Sequence, residues 1–354
     1  MQNLVSTLFN NLKKNNSIGN VVKDDQWDVF NEDYYKIIQS KENWETFRRN
    51  GISNMLETGL PSQDRFTLIN TKSLYPVEYN NDEVEDIITR YNELVEYAGL
   101  DFVNKYLEQK VGSPRSFIHN DNHLNFDDLY HVYALWQITR LVNPPKQIVE
   151  IGGGYGNLAS KLLKYYHTQN IHPKYVIIDL PEVLMVQHYY LHNSNPNLKI
   201  VNISDTDHVN LPEYDVLLVP ANYYHNLSFD IDLVINMRSF GEMPKLVLTD
   251  YFNWIQKNIV SYGIIYFVNR YLFTKSVDKM KLRDYPMDDN WKIVLSQPQW
   301  LQSHLHEFLL QRHQNPDYKF KNILQSMPLR NPPAGPIMKM QSQQEWMICQ
   351  NIPL

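Results

Sequence analysis

The chain has 354 residues, of which 43% are hydrophobic and 20% charged, with a formal net charge of −6; this is the composition of a globular protein that buries a real core. The acidic balance argues against nucleic acid or an anionic membrane as the main partner, and one cysteine, Cys349, excludes an internal disulfide and a multi-cysteine metal site. Apolar runs such as "YVII" and "GIIYFV" fall far short of the roughly 20 residues that cross a bilayer, and the first lysines follow a short apolar run, the reverse of a secretory signal, so a cytoplasmic protein is expected.

Residues 1–111 carry apolar residues at three- and four-residue spacing, as in "DEVEDIITRYNELVEYAGLDFVNKYLEQK", and little strand signal. They are predicted to form a helical appendage that covers a pocket as a lid or pairs two subunits into a homodimer, with the main domain over 112–354. The main domain opens on a polar patch, "GSPRSFIHNDNHLN", holding His119 and His123. Asn125 followed by Asp128 has the spacing of a capped helix start. Leu129, Val132, Tyr133 and Trp136 make one apolar face of that helix, which Pro144-Pro145 ends.

From 147 onward the pattern alternates. "QIVEI", "KYVIID", "YDVLLVP", "IDLVIN" and "GIIYFVN" read as buried strands, separated by amphipathic stretches; Pro181 suits a first helical position. "NWKIVLS", "EFLLQRH" and "EWMICQN" (345–351) are further strand candidates, and "LKIVNIS" at 198–204 is a short run without an obvious place. Strands alternating with helices imply a mostly parallel sheet covered on both faces.

Between the first strand and its helix stands "KQIVEIGGGYGNLASKLLKYY", where Gly152, Gly153, Gly154 and Gly156 supply four of the chain's 12 glycines. That is the carboxyl edge of a parallel sheet, where open α/β folds bind ligands, and bare backbone there can approach a ligand closely. The spacing is E-x-G-x-G-x-G from Glu150. A dinucleotide fingerprint, G-x-G-x-x-G, needs a glycine where Asn157 stands, and a P-loop needs a G-K-[ST] that is absent. Asp179 ends the second strand, where a carboxylate can accept both hydroxyls of a ribose.

The glycine string resembles the first motif of class I S-adenosylmethionine-dependent methyltransferases. "EIGGGYGNLA", "IDLPEVLMVQHYYL", "INMRSFGEM" and "YFVNR", in that order, with the upstream "ENWETFRRNGI", resemble the sugar O-methyltransferases of bacterial glycan and glycosylated-metabolite pathways. The resemblance implies a Rossmann-like α/β fold with a mostly parallel seven-stranded sheet, S-adenosyl-L-methionine as cofactor, and a sugar hydroxyl, nucleotide-linked or in a saccharide, as acceptor. Glu150, the four glycines, Asp179, Leu180, Asn236 and Tyr133 are the expected cofactor contacts. A small phenolic or hydroxy-acid acceptor is the alternative, a nicotinamide oxidoreductase the rival enzyme, and a non-catalytic binding subunit the rival outside enzymes.

O-methylation asks for a base within reach of the acceptor hydroxyl. The loop after the fourth strand offers Arg238, Ser239 and Glu242, with Glu242 as base or as a helix-capping or ion-pairing carboxylate. His225 is the nearest histidine candidate, and the H-x-H of His304 and His306 lacks the carboxylates of a metal site, so no metal is expected. Asn269 and Arg270 end the fifth strand, where Arg270 with Arg238 can grip a phosphate or carboxylate of the substrate.

Overall fold

Apolar side chains at alternate positions of "QIVEI" face two different cores, and this is what places the strand inside the protein. Ile148 belongs to one core, with Leu129, Leu158 and Tyr175; Val149 and Ile151 belong to the other, with Val176, Phe252 and Phe308. The computed structural model describes residues 10, 41–48, 79–107, 110–203, 213–274 and 278–332. In chain order these form helices α1 (Lys41–Glu45), α2 (Asn81–Ala98) and α3 (Leu100–Tyr106), a hairpin of β1 (Phe117–His119) and β2 (Asn122–Leu124), and α4 (Phe126–Leu141). There follow β3 (Gln147–Ile151), α5 (Asn157–His167), β4 (Lys174–Asp179), α6 (Pro181–Ser194), β5 (Ile200–Asn202) and β6 (Val216–Pro220). The order closes with β7 (Ile231–Met237), α7 (Lys245–Asn258), β8 (Ile259–Arg270), β9 (Trp291–Gln299), β10 (Gln302–Arg312) and α8 (Phe320–Ser326).

The main sheet has the order β5-β6-β4-β3-β7-β8-β10-β9. The pairs from β5 to β8 are parallel, and β10 runs antiparallel to both β8 and β9. The chain leaves β3 for β4 on one side and returns to β7 on the other, so the tip of β3 is the switch point at which a crevice opens. This is the Rossmann-like class I methyltransferase architecture that the resemblance implies, with one correction: the described sheet has eight strands rather than seven. The extra one is β5, the unplaced run near 200, which pairs with β6 at the edge.

The capping expectation holds in detail: Asn125 Oδ1 accepts the Asp128 N–H at 2.9 Å, and Pro181 stands in the first turn of α6. The polar patch at 112–125 is more ordered than its composition suggests. Asn120 and Asp121 take φ of +49° and +61°, the conformation of a tight hairpin turn, and zip β1 to β2. The strand expected at 345–351, with Cys349, lies outside the described residues.

Candidate functional site

The glycine loop stands at the tip of β3. Gly152, Gly154 and Gly156 all adopt positive φ, +70°, +57° and +94°, a conformation that costs other residues roughly 1–2 kcal/mol each. Two of these positions need glycine for different reasons. A Cβ on Gly152 would lie 2.1 Å from Ser239 Oγ, so the loop after β7 packs directly on its backbone. A Cβ on Gly154 would meet no atom within 4 Å, so this backbone borders open space.

Two carboxylates flank the loop. Glu150 is 1% exposed, accepts the Tyr175 hydroxyl at 2.8 Å, and is pushed up to about 7 by burial, with the Tyr175 hydrogen bond opposing and the Asp179 charge adding. Asp179 is half-buried at the tip of β4 and is also pushed up to about 7 by burial. It accepts the Leu180 N–H at 2.8 Å and Gln187 Nε2 at 2.7 Å. Gln187 Nε2 also donates to the Gly154 carbonyl at 2.9 Å, tying the loop to Asp179. Leu180 thus contributes its backbone N–H to the carboxylate.

The tips of β7 and β8 form a fully hydrogen-bonded brace. Asn236 donates to the Ile151 carbonyl at 2.8 Å and to Ser239 Oγ at 2.5 Å, while its Oδ1 accepts from Phe240 N–H and Asn269 Nδ2. Asn269 Oδ1 accepts the Gly241 N–H at 3.3 Å. Both asparagines are wholly buried. Asn236, Asn269 and Ser239, expected as ligand contacts, hold the β7 loop against the glycine loop.

Other expected residues disperse. Tyr133 is buried on α4 and donates to Glu307 Oε1 at 2.9 Å, which makes it part of a polar cluster with Gln137 and Gln297. Glu242 ends a 3-10 turn over Phe240–Glu242, and its charge falls on Tyr285. His225 is exposed, with its ring 3.9 Å from that of Tyr224. His306 is buried between Tyr271 and Ser296, at 2.8 and 3.0 Å. Among the described residues no group of three or more histidine, cysteine or acidic side chains could hold a metal. Arg238, by contrast, takes φ of +71° and lays its guanidinium 4.7 Å over the Tyr130 ring.

Three features were not anticipated. Tyr155, inside the glycine loop, donates to Asp127, and Asn157 donates to Tyr155 and to Asp128 at 2.9 and 3.0 Å. Asp128 meets Lys161 at 3.0 Å; burial works against its charge, but Lys161 and Arg48 hold it below the usual carboxylate range. Arg48 is wholly buried, 4.7 Å over the Tyr155 ring, so the short segment around α1 reaches the back of the loop. Third, His131 Nδ1 lies 2.8 Å from the Asp127 carbonyl and 3.2 Å from Asn157 Nδ2. Burial lowers its pKa and the Asp127 charge opposes this, so the imidazole is neutral near pH 7. The i,i+4 pair Asp127–His131 and the lone Gln187 in the apolar run "PEVLMVQHYYL" were the available signals.

No protein-family profile matches the sequence, and no curated protein does. Among solved structures, the chain is similar to the mitomycin 7-O-methyltransferase MmcR, at 11% identity and a TM-score of 0.37, over 52% of each chain. It is similar to the pyocyanin biosynthetic protein PhzM at 14% identity and a TM-score of 0.33, over 52% of this chain and 54% of that one. It is also similar to the ribosomal protein L11 methylase of Lactobacillus delbrueckii subsp. bulgaricus, at 14% identity and a TM-score of 0.35, over 54% and 81%. The matched span is thus about half the length of the first two.

Proposed function

We propose that the protein is an S-adenosylmethionine-dependent O-methyltransferase whose acceptor is a sugar hydroxyl. The observation that carries this reading is the left-handed backbone of Gly154 bordering open space, with Asp179 tied to it through Gln187. A ligand with a ribose fits this arrangement: the glycine backbone admits close approach, and the Asp179 carboxylate accepts the two hydroxyls. Glu150, beneath the loop, fixes the floor through Tyr175. When bound, S-adenosylmethionine supplies an electrophilic methyl group.

The chain's own task is to orient the acceptor and take the proton from its hydroxyl. His131, neutral and against the first turn of α5, can accept that proton, and Glu242 is the alternative carboxylate at the β7 edge. The sugar assignment rests on the sequence resemblance, and a phenol is the alternative acceptor.

Calorimetry with S-adenosylhomocysteine and with NADH tests the cofactor, and transfer of tritiated methyl to nucleotide sugars, glycosides and phenols tests the acceptor. Micromolar binding of S-adenosylhomocysteine and transfer to a sugar are expected. NADH binding without S-adenosylhomocysteine binding would sink the cofactor assignment, and transfer to phenols alone would sink the sugar.

A further inference from the structure

His131 meets the first turn of α5 through Asn157, whose amide decides which atom of the imidazole carries the hydrogen. Asn157 Nδ2 has two hydrogens and three acceptors in reach: the Tyr155 hydroxyl at 2.9 Å, Asp128 Oδ1 at 3.0 Å and His131 Nδ1 at 3.2 Å. The amide is oriented from its other side, because Asn157 Oδ1 accepts the Tyr190 hydroxyl at 3.0 Å. The two shorter contacts, both to oxygen, take the two hydrogens. His131 Nδ1 is left with the Asp127 carbonyl at 2.8 Å, which can only accept, so Nδ1 bears the hydrogen. The lone pair then belongs to Nε2, which no hydrogen bond reaches among the described residues, on a side chain 12% exposed.

Tyr155 is the member of this set that the glycine loop supplies. It stands between Gly154 and Gly156, both at positive φ, and its hydroxyl donates to Asp127 Oδ2 while accepting from Asn157. Its ring lies under the Arg48 guanidinium at 4.7 Å and edge-on to Tyr190, with centroids 4.8 Å apart, which holds the hydroxyl in place. The Asp127 carboxylate it anchors is 3.6 Å from His131 Nδ1. There burial works against a proton on the ring, the Asp127 charge favours one, and the charges of Arg238 and Lys161 oppose it. Without the Tyr155 hydroxyl, the second Asn157 hydrogen has His131 Nδ1 as its remaining acceptor, which favours the other tautomer, with Nε2 already protonated.

We propose that Tyr155 is a positioning residue for proton transfer: from within the glycine loop it holds His131 in the Nδ1–H tautomer, with Nε2 as the proton-accepting atom. The acceptor O–H bond breaks, its electron pair stays on the oxygen that receives the methyl group, and the Nε2 lone pair forms the new N–H bond. The proton then leaves the imidazolium for solvent. This rests on the methyltransferase reading for the acceptor hydroxyl; the tautomer stands without it. The full-length protein, labelled with heavy nitrogen in its histidines and free of cofactor, reports the tautomer in long-range proton–nitrogen correlation spectra, and the signal lost in His131→Asn assigns the ring. A protonated Nδ1 in the wild type and growth of the Nε2-protonated form in Tyr155→Phe are expected, with kcat lowered about tenfold or more and the acceptor KM unchanged within about twofold. An Nε2-protonated ring in the wild type overturns the proposal before any variant is made. An unchanged tautomer in Tyr155→Phe overturns it too, as does a changed tautomer with unchanged kcat. Circular dichroism of each variant separates loss of the hydroxyl from loss of the fold. The expected tautomers without methyl transfer to any acceptor keep the Tyr155 assignment and remove the methyltransferase reading; methyl transfer with an Nε2-protonated His131 does the opposite.

Discussion

Gly152 and Gly154 are two residues apart in one loop, yet alanine at each should fail in a different way. At Gly154 the added methyl meets nothing within 4 Å, so the folded state loses only the left-handed preference, roughly 1–2 kcal/mol. That amounts to a shift of a few degrees in Tm for a chain of this size. The same methyl projects into the space that a bound nucleoside would fill, so affinity for S-adenosylhomocysteine should fall by about 100-fold or more. At Gly152 the methyl would lie 2.1 Å from Ser239 Oγ and 2.5 Å from its Cβ. Ser239 cannot move freely, because its hydroxyl bonds Asn236 and the Ile151 carbonyl. The variant therefore adds an overpacking cost of about 1–3 kcal/mol to the backbone term and should lose both stability and binding. Thermal denaturation paired with calorimetry reads both quantities. If Gly154→Ala binds S-adenosylhomocysteine normally, or if the two variants lose equal stability, the assignment of open space above Gly154 is wrong.

Glu307 is wholly buried with Oε2 unpartnered, and burial pushes it from 4.5 up to about 7. With the folded pKa raised above the unfolded one, its contribution to stability is full below about 4.5 and is lost as pH rises to about 7. Glu307→Gln should therefore match the wild type near pH 4.5 and exceed it by up to roughly 3 kcal/mol above pH 7, at about 1.4 kcal/mol per pH unit; urea titrations at several pH values check this, and a constant difference refutes it. Gln187→Met removes the donors shared by Asp179 and the Gly154 carbonyl, so S-adenosylhomocysteine affinity should drop about tenfold. The affinity's fall as the solution is acidified should also begin at a higher pH, because Asp179 loses a hydrogen bond to its charged form. Of His131→Asn and Glu242→Gln, the one that removes the base should lower kcat by roughly 100-fold or more with cofactor affinity intact; a fall in neither would exclude both.

The sheet was largely readable because its central strands are continuous apolar runs that only a doubly covered parallel sheet can bury. The glycine loop was readable because its function requires a bare backbone, which composition reports directly. Asp179 stood out as a carboxylate ending an apolar strand. What stayed hidden was pairing at a distance. Nothing local in "NMRSFGEM" separates Asn236, which braces two strand tips and the loop, from a residue that faces a ligand. Tyr133 showed an apolar helix position, but its hydroxyl partner, Glu307, is 174 residues away. The hairpin at 117–124 was missed because Asn-Asp at its turn reads as loop chemistry, and strands of three residues have too few positions to show alternation.

Arg48 gives the molecule an unusual dependence. It precedes the sheet by about a hundred residues, and its charge helps balance Asp127 and Asp128, both wholly or almost wholly buried. Buried ions that lose a partner are destabilising by several kcal/mol. The sheet of this protein is therefore not an exchangeable cassette: a gene rearrangement that carried residues 112–354 into another context would carry two interior carboxylates with Lys161 as their nearest described counter-ion. Such a recombinant would lose the Arg48 charge together with the core side chains of α2 and α3, Tyr91, Leu94 and Tyr106 among them.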